Sequence, residues 1–91
     1  MHMNPTDDFT VDFNQPVKTL IDDHPDLLAL LVEIGFTPLE DPILRQSIGQ
    51  FVTLNRGAKI AGVSVAFICQ QLIYNGYQPI GVKKNNEKEA Y

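Results

Sequence analysis

Residues 25–36 read Pro-Asp-Leu-Leu-Ala-Leu-Leu-Val-Glu-Ile-Gly-Phe, and this stretch decides the fold. From residue 27 to residue 34 the segment is apolar nearly all the way round a helix, with Glu33 as the main exception. A surface helix carries an apolar stripe, whereas a helix that is apolar on every side is buried. We therefore predict a central helix around which a small domain packs. The alternative is that a second molecule covers one of its faces.

The sequence around this helix repeats one pattern of helix boundaries. Helix starts are predicted at prolines and at Asp, Thr or Ser caps, namely at Pro16, Pro25, Asp41-Pro42, Thr53 and Ser64. Helix ends are predicted where a glycine precedes an apolar residue, the sequence of a Schellman ending, at Gly35-Phe36, Gly62-Val63 and Gly76-Tyr77. The spacing brings Phe36 to Leu31 and Tyr77 to Leu72. Gly49 is predicted to close the third helix.

These boundaries predict an all-α fold, a compact bundle of about five short helices with a short N-terminal extended segment. Residues 9–13 (Phe-Thr-Val-Asp-Phe) alternate between apolar and polar types, as in a strand. A single strand cannot form a sheet, so we expect this segment to lead into the core or to pair with another copy. The predicted divisions are a flexible N-terminus (1–8), a single helical domain (9–82) and a polar C-terminal tail (83–91).

Charge and composition limit the classes of function. The 91 residues carry a net charge of −4, with nine acidic and two basic residues before position 46 and two acidic and five basic residues after it. Because an acidic half repels phosphate backbones and the basic half forms no dense stripe, we expect no nucleic-acid partner. The sequence has no run of 18 apolar residues, which predicts no membrane span. The N-terminal residues do not resemble a signal peptide, and we expect a cytoplasmic protein.

Two features are candidates for a chemical site. The segment Asp22-Asp23-His24-Pro25-Asp26 is the densest polar cluster, but consecutive residues project in different directions and no second ligand set follows. The single cysteine, Cys69, falls in the middle of the fifth helix on its apolar face, where a thiol fills the core. We therefore expect no enzyme activity, no cofactor and no metal site.

A ligand site, if present, is predicted between two turns. Residues 55–59 combine two basic side chains with Gly57, and a glycine inside a helix costs about 1 kcal/mol relative to alanine. This cost indicates a close approach to the backbone, by another helix or by an anion. The predicted site places residues 36–41 opposite residues 53–59. The candidate ligand or partner contacts are Phe36, Leu39, Asp41, Thr53, Asn55, Arg56 and Lys59.

The order of motifs also carries a resemblance. It runs through Val11-Asp12, Pro16-Val17-Lys18-Thr19-Leu20-Ile21, His24-Pro25, Leu28, Leu31, Gly35-Phe36, Leu39-Glu40-Asp41-Pro42, Ile48-Gly49, Val52-Thr53-Leu54, Gly57-Ala58, Gly62-Val63, Leu72 and Gly76-Tyr77. Over residues 10–77 this string resembles a small bacterial domain family of uncharacterised function. Some members of that family are labelled the hybrid-cluster-associated redox disulfide domain. The resemblance implies a five-helix bundle with an N-terminal extended piece, and an accessory role, since members occur attached to sensor or diiron-type domains.

The chain departs from the redox-labelled members at the residues that matter for thiol chemistry. Those members place a CxxC pair just after the glycine that ends the second helix. An ungapped comparison puts Pro38 and Asp41 at the two positions, and residues 35–42 contain no cysteine. The resemblance therefore implies no dithiol activity here.

Three functional hypotheses follow. The first is a non-enzymatic accessory or interaction module that docks a protein partner or self-associates, for example as a homodimer. The second is a domain that binds a small anion or metabolite between its helices. The third is a degenerate redox- or metal-associated domain that has lost its cysteine pair and retains a role for His24, the aspartates or Cys69.

Overall fold

The computed structural model describes residues 9–83, and the expectations for residues 1–8 and 84–91 lie outside that range. Five α-helices and two short strands follow one another, with a 3₁₀ helix after the second α-helix. Their bounds are β1 Thr10–Asp12, α1 Val17–Asp23, α2 Leu27–Ile34, the 3₁₀ helix Thr37–Glu40, α3 Pro42–Gly49, α4 Leu54–Ala61, α5 Val65–Tyr74 and β2 Gln78–Ile80. The predicted mostly helical fold with five short helices is confirmed.

The side-chain caps predicted for three helices are present. The Asp41 Oδ1 atom accepts a hydrogen bond from the Ile43 amide (2.9 Å) at the start of α3. Thr53 and Ser64 cap α4 and α5 through hydroxyl oxygens that accept amide hydrogen bonds, at 3.2 and 3.0 Å. Each cap satisfies a backbone donor that has no partner within its own helix. Pro16 is the residue before α1, whereas α2 begins at Leu27, two residues after Pro25.

The three predicted Schellman endings are also present. In each, the apolar residue after the glycine donates its amide to a carbonyl five residues earlier. The three bonds are Phe36 N to Leu31 O (2.9 Å), Val63 N to Ala58 O (3.0 Å) and Tyr77 N to Leu72 O (2.9 Å). The intervening glycines all have positive φ angles, which L side chains avoid. Gly49 differs, because it is the last residue of α3 and instead marks a close approach, where an added Cβ atom would lie 3.2 Å from Lys18 Cβ.

The expectation of a lone N-terminal strand was wrong. Strand β1 pairs in parallel with β2 of the same chain, in a register that sets Val11 opposite Pro79. The Gln78 amide donates to the Phe9 carbonyl (2.8 Å) and the Phe13 amide to the Ile80 carbonyl (2.9 Å). The segment after Gly76 therefore returns to the N-terminal segment and forms a two-stranded sheet beside the helices.

Helix α2 packs one face into the core, so the prediction of a central helix surrounded by the rest of the domain was wrong. Its residues Leu27, Leu31 and Ile34 are buried within the single chain. Leu28, Leu30 and Val32 are partly buried and pack against the same cluster, whereas Ala29 and Glu33 are exposed. The remaining buried apolar residues come from every other element except α3 and β2, and they are Val11, Phe13, Val17, Leu20, Ile21, Phe36, Leu39, Leu54, Ala58, Ile68 and Leu72.

Candidate functional site

A groove lies between the 3₁₀ helix, α3 and α4. Its volume is about 320 Å³, at the lower end of the range found for ligand sites. The side chains around it are mostly apolar, and none of them is charged. The lining residues are Val17, Gly35, Phe36, Thr37, Pro38, Leu39, Ile48, Gly49, Val52, Gly57, Ile60 and Ala61.

The close approach predicted at Gly57 is made by an aromatic ring. A Cβ atom added at this glycine would come 2.8 Å from Phe36 Cε1 and 3.2 Å from Val52 Cγ1, both inside ordinary contact distances. The ring of Phe36 therefore lies directly against the backbone of α4. The neighbour at Gly57 is thus a side chain from the segment after α2 rather than another helix, and it helps to shape the groove.

One wall of the groove is held in place by an arginine that no sequence pattern singles out. The Arg45 Nε atom donates to the Leu39 carbonyl (2.8 Å), and Nη2 donates to the Glu40 carbonyl (3.3 Å). Both carbonyls belong to the 3₁₀ helix, so the side chain fixes the end of this element against α3. A basic residue four places after a helix cap gives no signal of this role in the sequence, because its partners are backbone atoms.

Large, partly or mostly exposed apolar side chains lie on the elements that border the groove. Leu44, Ile48 and Phe51 occur at i, i+4 and i+7, so they share one face of α3 and of the turn that continues it. Ile60 lies across the groove on α4. Phe51 is 79% exposed and Ile60 is 71% exposed. We call these four residues the apolar rim, in which Ile48 and Ile60 belong to the groove lining and Leu44 and Phe51 share the helical face of Ile48.

Two of the seven predicted contact residues reach the groove. Phe36 and Leu39 are buried and line it. Asp41 and Thr53 instead cap the helices that follow them. Of residues 36–41 the groove lining holds positions 36 to 39, and of residues 53–59 it holds only Gly57.

The polar residues predicted on α4 lie away from the groove lining. Asn55 Nδ2 donates to the Asn14 side-chain oxygen (3.0 Å) and to the Gly81 carbonyl (2.9 Å). Its Oδ1 atom accepts from the Lys83 amide (3.0 Å). Asn55 thus ties the segment after β1 to the segment after β2. Arg56 and Lys59 are exposed beside the groove and do not line it.

His24 belongs to an aromatic cluster rather than to a group of carboxylates. Its ring stacks on Phe9 and meets Tyr77 edge-on, with centroids 6.5 and 5.7 Å apart. The protonated Nε2 atom donates to the Thr10 carbonyl (3.2 Å). Partial burial raises the pKa of the Tyr77 phenol, and the Asp26 carboxylate raises it further. In the described part of the chain, no three His, Cys, Asp or Glu side chains form a group that could bind a metal ion.

The remaining predicted features are placed as follows. Cys69 is half-buried and packs against the hydrophobic core. A second exposed apolar surface lies on α5, where Ile73 is 61% and Tyr74 is 85% exposed. Within residues 9–83 no single helix is long and apolar enough to cross a membrane, and α4 and α5 reach that length only together, across a bend of 114°.

Comparison with known proteins identifies similar chains. A family model described as "Domain of unknown function (DUF1858)" matches residues 11–68, a range that contains every lining residue of the groove. The crystal structure of the conserved domain protein from Streptococcus pneumoniae TIGR4 has a TM-score of 0.80 to this chain and is 37% identical to it. The match covers 91% of this chain and 100% of that one. None of the curated proteins matches.

Proposed function

This chain belongs to the family described as a domain of unknown function, DUF1858, and we propose that it is a non-enzymatic interaction module whose groove receives apolar side chains of a protein partner. The observation that carries this proposal is the apolar rim beside the groove. Exposed apolar area costs about 25 cal/mol for each Å² left in water. A surface that concentrates such area around a concave site is typical of docking surfaces.

The size of the exposed side chains favours a protein segment over a small molecule. A small ligand would contact the groove lining but would leave most of Phe51, a residue outside that lining, in water. An amphipathic helix laid along the groove would cover both at once, because its apolar residues recur at i, i+3, i+4 and i+7. Leu44 and Ile48 are each a little under two-fifths exposed and lie in the path of such a helix.

A peptide-display selection tests this proposal directly. Random 16-residue peptides would be selected on the wild-type chain and then compared on two variants, Ile60→Glu and the matched control Ile73→Glu. Both positions are exposed helical isoleucines, and only Ile60 lines the groove. We expect the selected peptides to carry apolar residues at helical spacing, to lose binding to Ile60→Glu and to keep binding to Ile73→Glu.

Amide chemical shifts measured with the same peptides show which surface of the chain they bind. Binding within the groove shifts the amides of Phe36, Gly57 and Ile60, which border it. Peptides that bind equally well to both variants, and that shift the α5 amides instead, would show that the groove is not the docking site.

A small apolar ligand is the second candidate, and the volume and lining of the groove favour it. An anion has less support, since Arg56 and Lys59 do not line the groove. A thermal-shift experiment with octanoate and with inorganic phosphate separates these cases. An apolar ligand predicts a raised melting temperature with octanoate alone, and that rise should vanish in Ile60→Glu. A rise with phosphate would favour the anion.

Three narrower expectations remain part of the proposal. We propose that the chain is a relative of the redox-labelled members that lacks their cysteine pair, with Pro38 and Asp41 at those positions. A dithiol oxidoreductase assay should then give no turnover. We also propose a cytoplasmic location and no nucleic-acid partner, which a fluorescent fusion in the native host and a gel-shift titration would check.

A further inference from the structure

We propose that the occupant of the groove is a second copy of this chain, which inserts Phe51 of each copy into the groove of the other. This inference rests on the proposed function and names its partner. Phe51 is the most exposed residue of the apolar rim, and its chain neighbour Val52 lines the groove. Phe51 also follows the lining residue Ile48 by three positions, which puts its projecting ring on the same face as the groove.

A two-fold symmetric dimer would bring the Phe51 ring of each copy to the groove of the other. In a symmetric dimer the same patch meets itself, so each feature must find its complement elsewhere in the same patch. A two-fold axis that passes between Phe51 and the groove brings each ring to the groove of the other copy. The two contacts are identical, and the assembly closes at two copies.

The area of the patch fits a stable dimer. We take about 200 Å², the area of an aromatic side chain, as an upper value for each rim residue. The exposed fractions of the four rim residues then correspond to about 450 Å² on each copy. A standard interface covers about 800 Å² on each partner, and roughly 60% of it is apolar. The rim therefore supplies close to the whole apolar share of such an interface.

Charges beside the groove permit self-docking. The whole chain carries a net charge of −4, which opposes association between copies. Beside the groove the balance is different. Glu40 and Asp41 are exposed at the end of one wall, and Arg56 and Lys59 are exposed on the helix that forms the other wall. With Arg45 on α3, two acidic and three basic side chains leave this surface at a net charge of +1, and in a two-fold dimer the acidic wall end of one copy can face the basic helix of the other.

The test is the association constant of the full chain and of two variants with matched changes. Sedimentation equilibrium from micromolar to millimolar concentration would be measured for the wild type, for Phe51→Glu and for Tyr74→Glu. Both aromatic rings are about four-fifths exposed, and Tyr74 lies on α5 away from the groove lining. Circular dichroism would verify that both variants stay folded.

We expect a reversible wild-type dimer. Because a central aromatic residue of an interface contributes about 2 kcal/mol or more, Phe51→Glu should raise the dissociation constant at least about 30-fold. Tyr74→Glu should leave it unchanged. In a sample that mixes labelled and unlabelled copies, we also expect nuclear Overhauser contacts between the Phe51 ring of one copy and the Phe36 ring or Ile60 methyls of the other.

Two results would overturn the inference. A wild-type chain that remains monomeric at millimolar concentration has no second copy in its groove. Dimerisation that Phe51→Glu leaves intact and Tyr74→Glu abolishes would place the interface on α5. Either result leaves the proposed function standing if the selected peptides still lose binding to Ile60→Glu, so the failure of one is distinguishable from the failure of the other.

Discussion

Replacing Gly57 by alanine should make the protein less stable, although alanine is the better helix former. In an unobstructed helix the change stabilises by about 1 kcal/mol, because glycine loses more backbone freedom on folding. Here the new Cβ atom would come 2.8 Å from the Phe36 ring and 3.2 Å from Val52. Both neighbours border the groove, so the ring has space to relieve the contact by moving into it.

The net effect follows from two opposed contributions. Overpacking of a core costs about 1–3 kcal/mol, which exceeds the gain in helix propensity. We therefore expect Gly57→Ala to lower the free energy of unfolding by about 1 kcal/mol. In a Phe36→Leu background the smaller side chain removes the shorter contact, Val52 has to shift by only a few tenths of an ångström, and the same alanine should stabilise by up to about 1 kcal/mol.

A double-mutant cycle measures this reversal. Urea unfolding followed by circular dichroism would be recorded for the wild type, the two single variants and the double variant. The expected coupling energy between Gly57 and Phe36 is about 2 kcal/mol, within the range found for residues in contact. If Gly57→Ala stabilises both backgrounds equally, the ring does not limit the space at this position, and the explanation of the glycine is wrong.

The remaining predictions concern the polar contacts. Asn55→Ala should lower the free energy of unfolding by about 1–3 kcal/mol, because it removes hydrogen bonds between segments that are distant in sequence. Asn75→Ala is the control and should lower it by less, since the Asn75 side chain bonds only to the nearby Gln71 carbonyl. Thr53→Ala should cost about 1 kcal/mol in thermal unfolding through loss of the α4 cap. The raised pKa of Tyr77 means that the folded state holds this proton more tightly than the unfolded state. The free energy of unfolding should therefore fall as the pH rises above about 10, and Tyr77→Phe should remove that part of the fall.

The helix boundaries could be predicted because each is decided within a few residues. A hydroxyl at position 53 and an amide three residues later are enough to specify a cap. Gly62 and Val63 likewise close α4 through a bond to Ala58, inside the same short segment. Neither feature depends on what the rest of the chain does.

The sheet could not be predicted because its two strands are distant in sequence. Val11 lies opposite Pro79, and a proline inside a three-residue run argues against a strand when it is read alone. Pro79 is tolerated because β2 has a neighbour on one side only, within the two-stranded sheet that the structure describes. The pairing depends on how residues 9–13 and residues 76–80 dock on the helices, which local patterns do not contain.

The candidate site was predicted in part, for a similar reason. Gly57 signalled a close approach, and Phe36 was placed opposite it by the turn that follows α2. The polar candidates had competing roles. Thr53 was already predicted as a helix cap, and an oxygen engaged in capping is not available to a ligand. The partners of Asn55 lie at Asn14 and at Gly81, too far along the chain for spacing to reveal them.

Several departures from local stability lie around the groove. Gly57 is a poorer helix former than alanine, and the apolar side chains of Phe51 and Ile60 are exposed instead of buried. The helix ends at Gly35 and Gly62, by contrast, are fully formed. Local rules tend to be broken where a protein functions, because binding compensates for the stability given up. The exposed residues of α5 lie on a helix whose cap is satisfied, and no glycine opens space beside them within α5. We therefore expect a partner to bind at the groove, where its binding would offset the stability lost through these exposed side chains and this glycine.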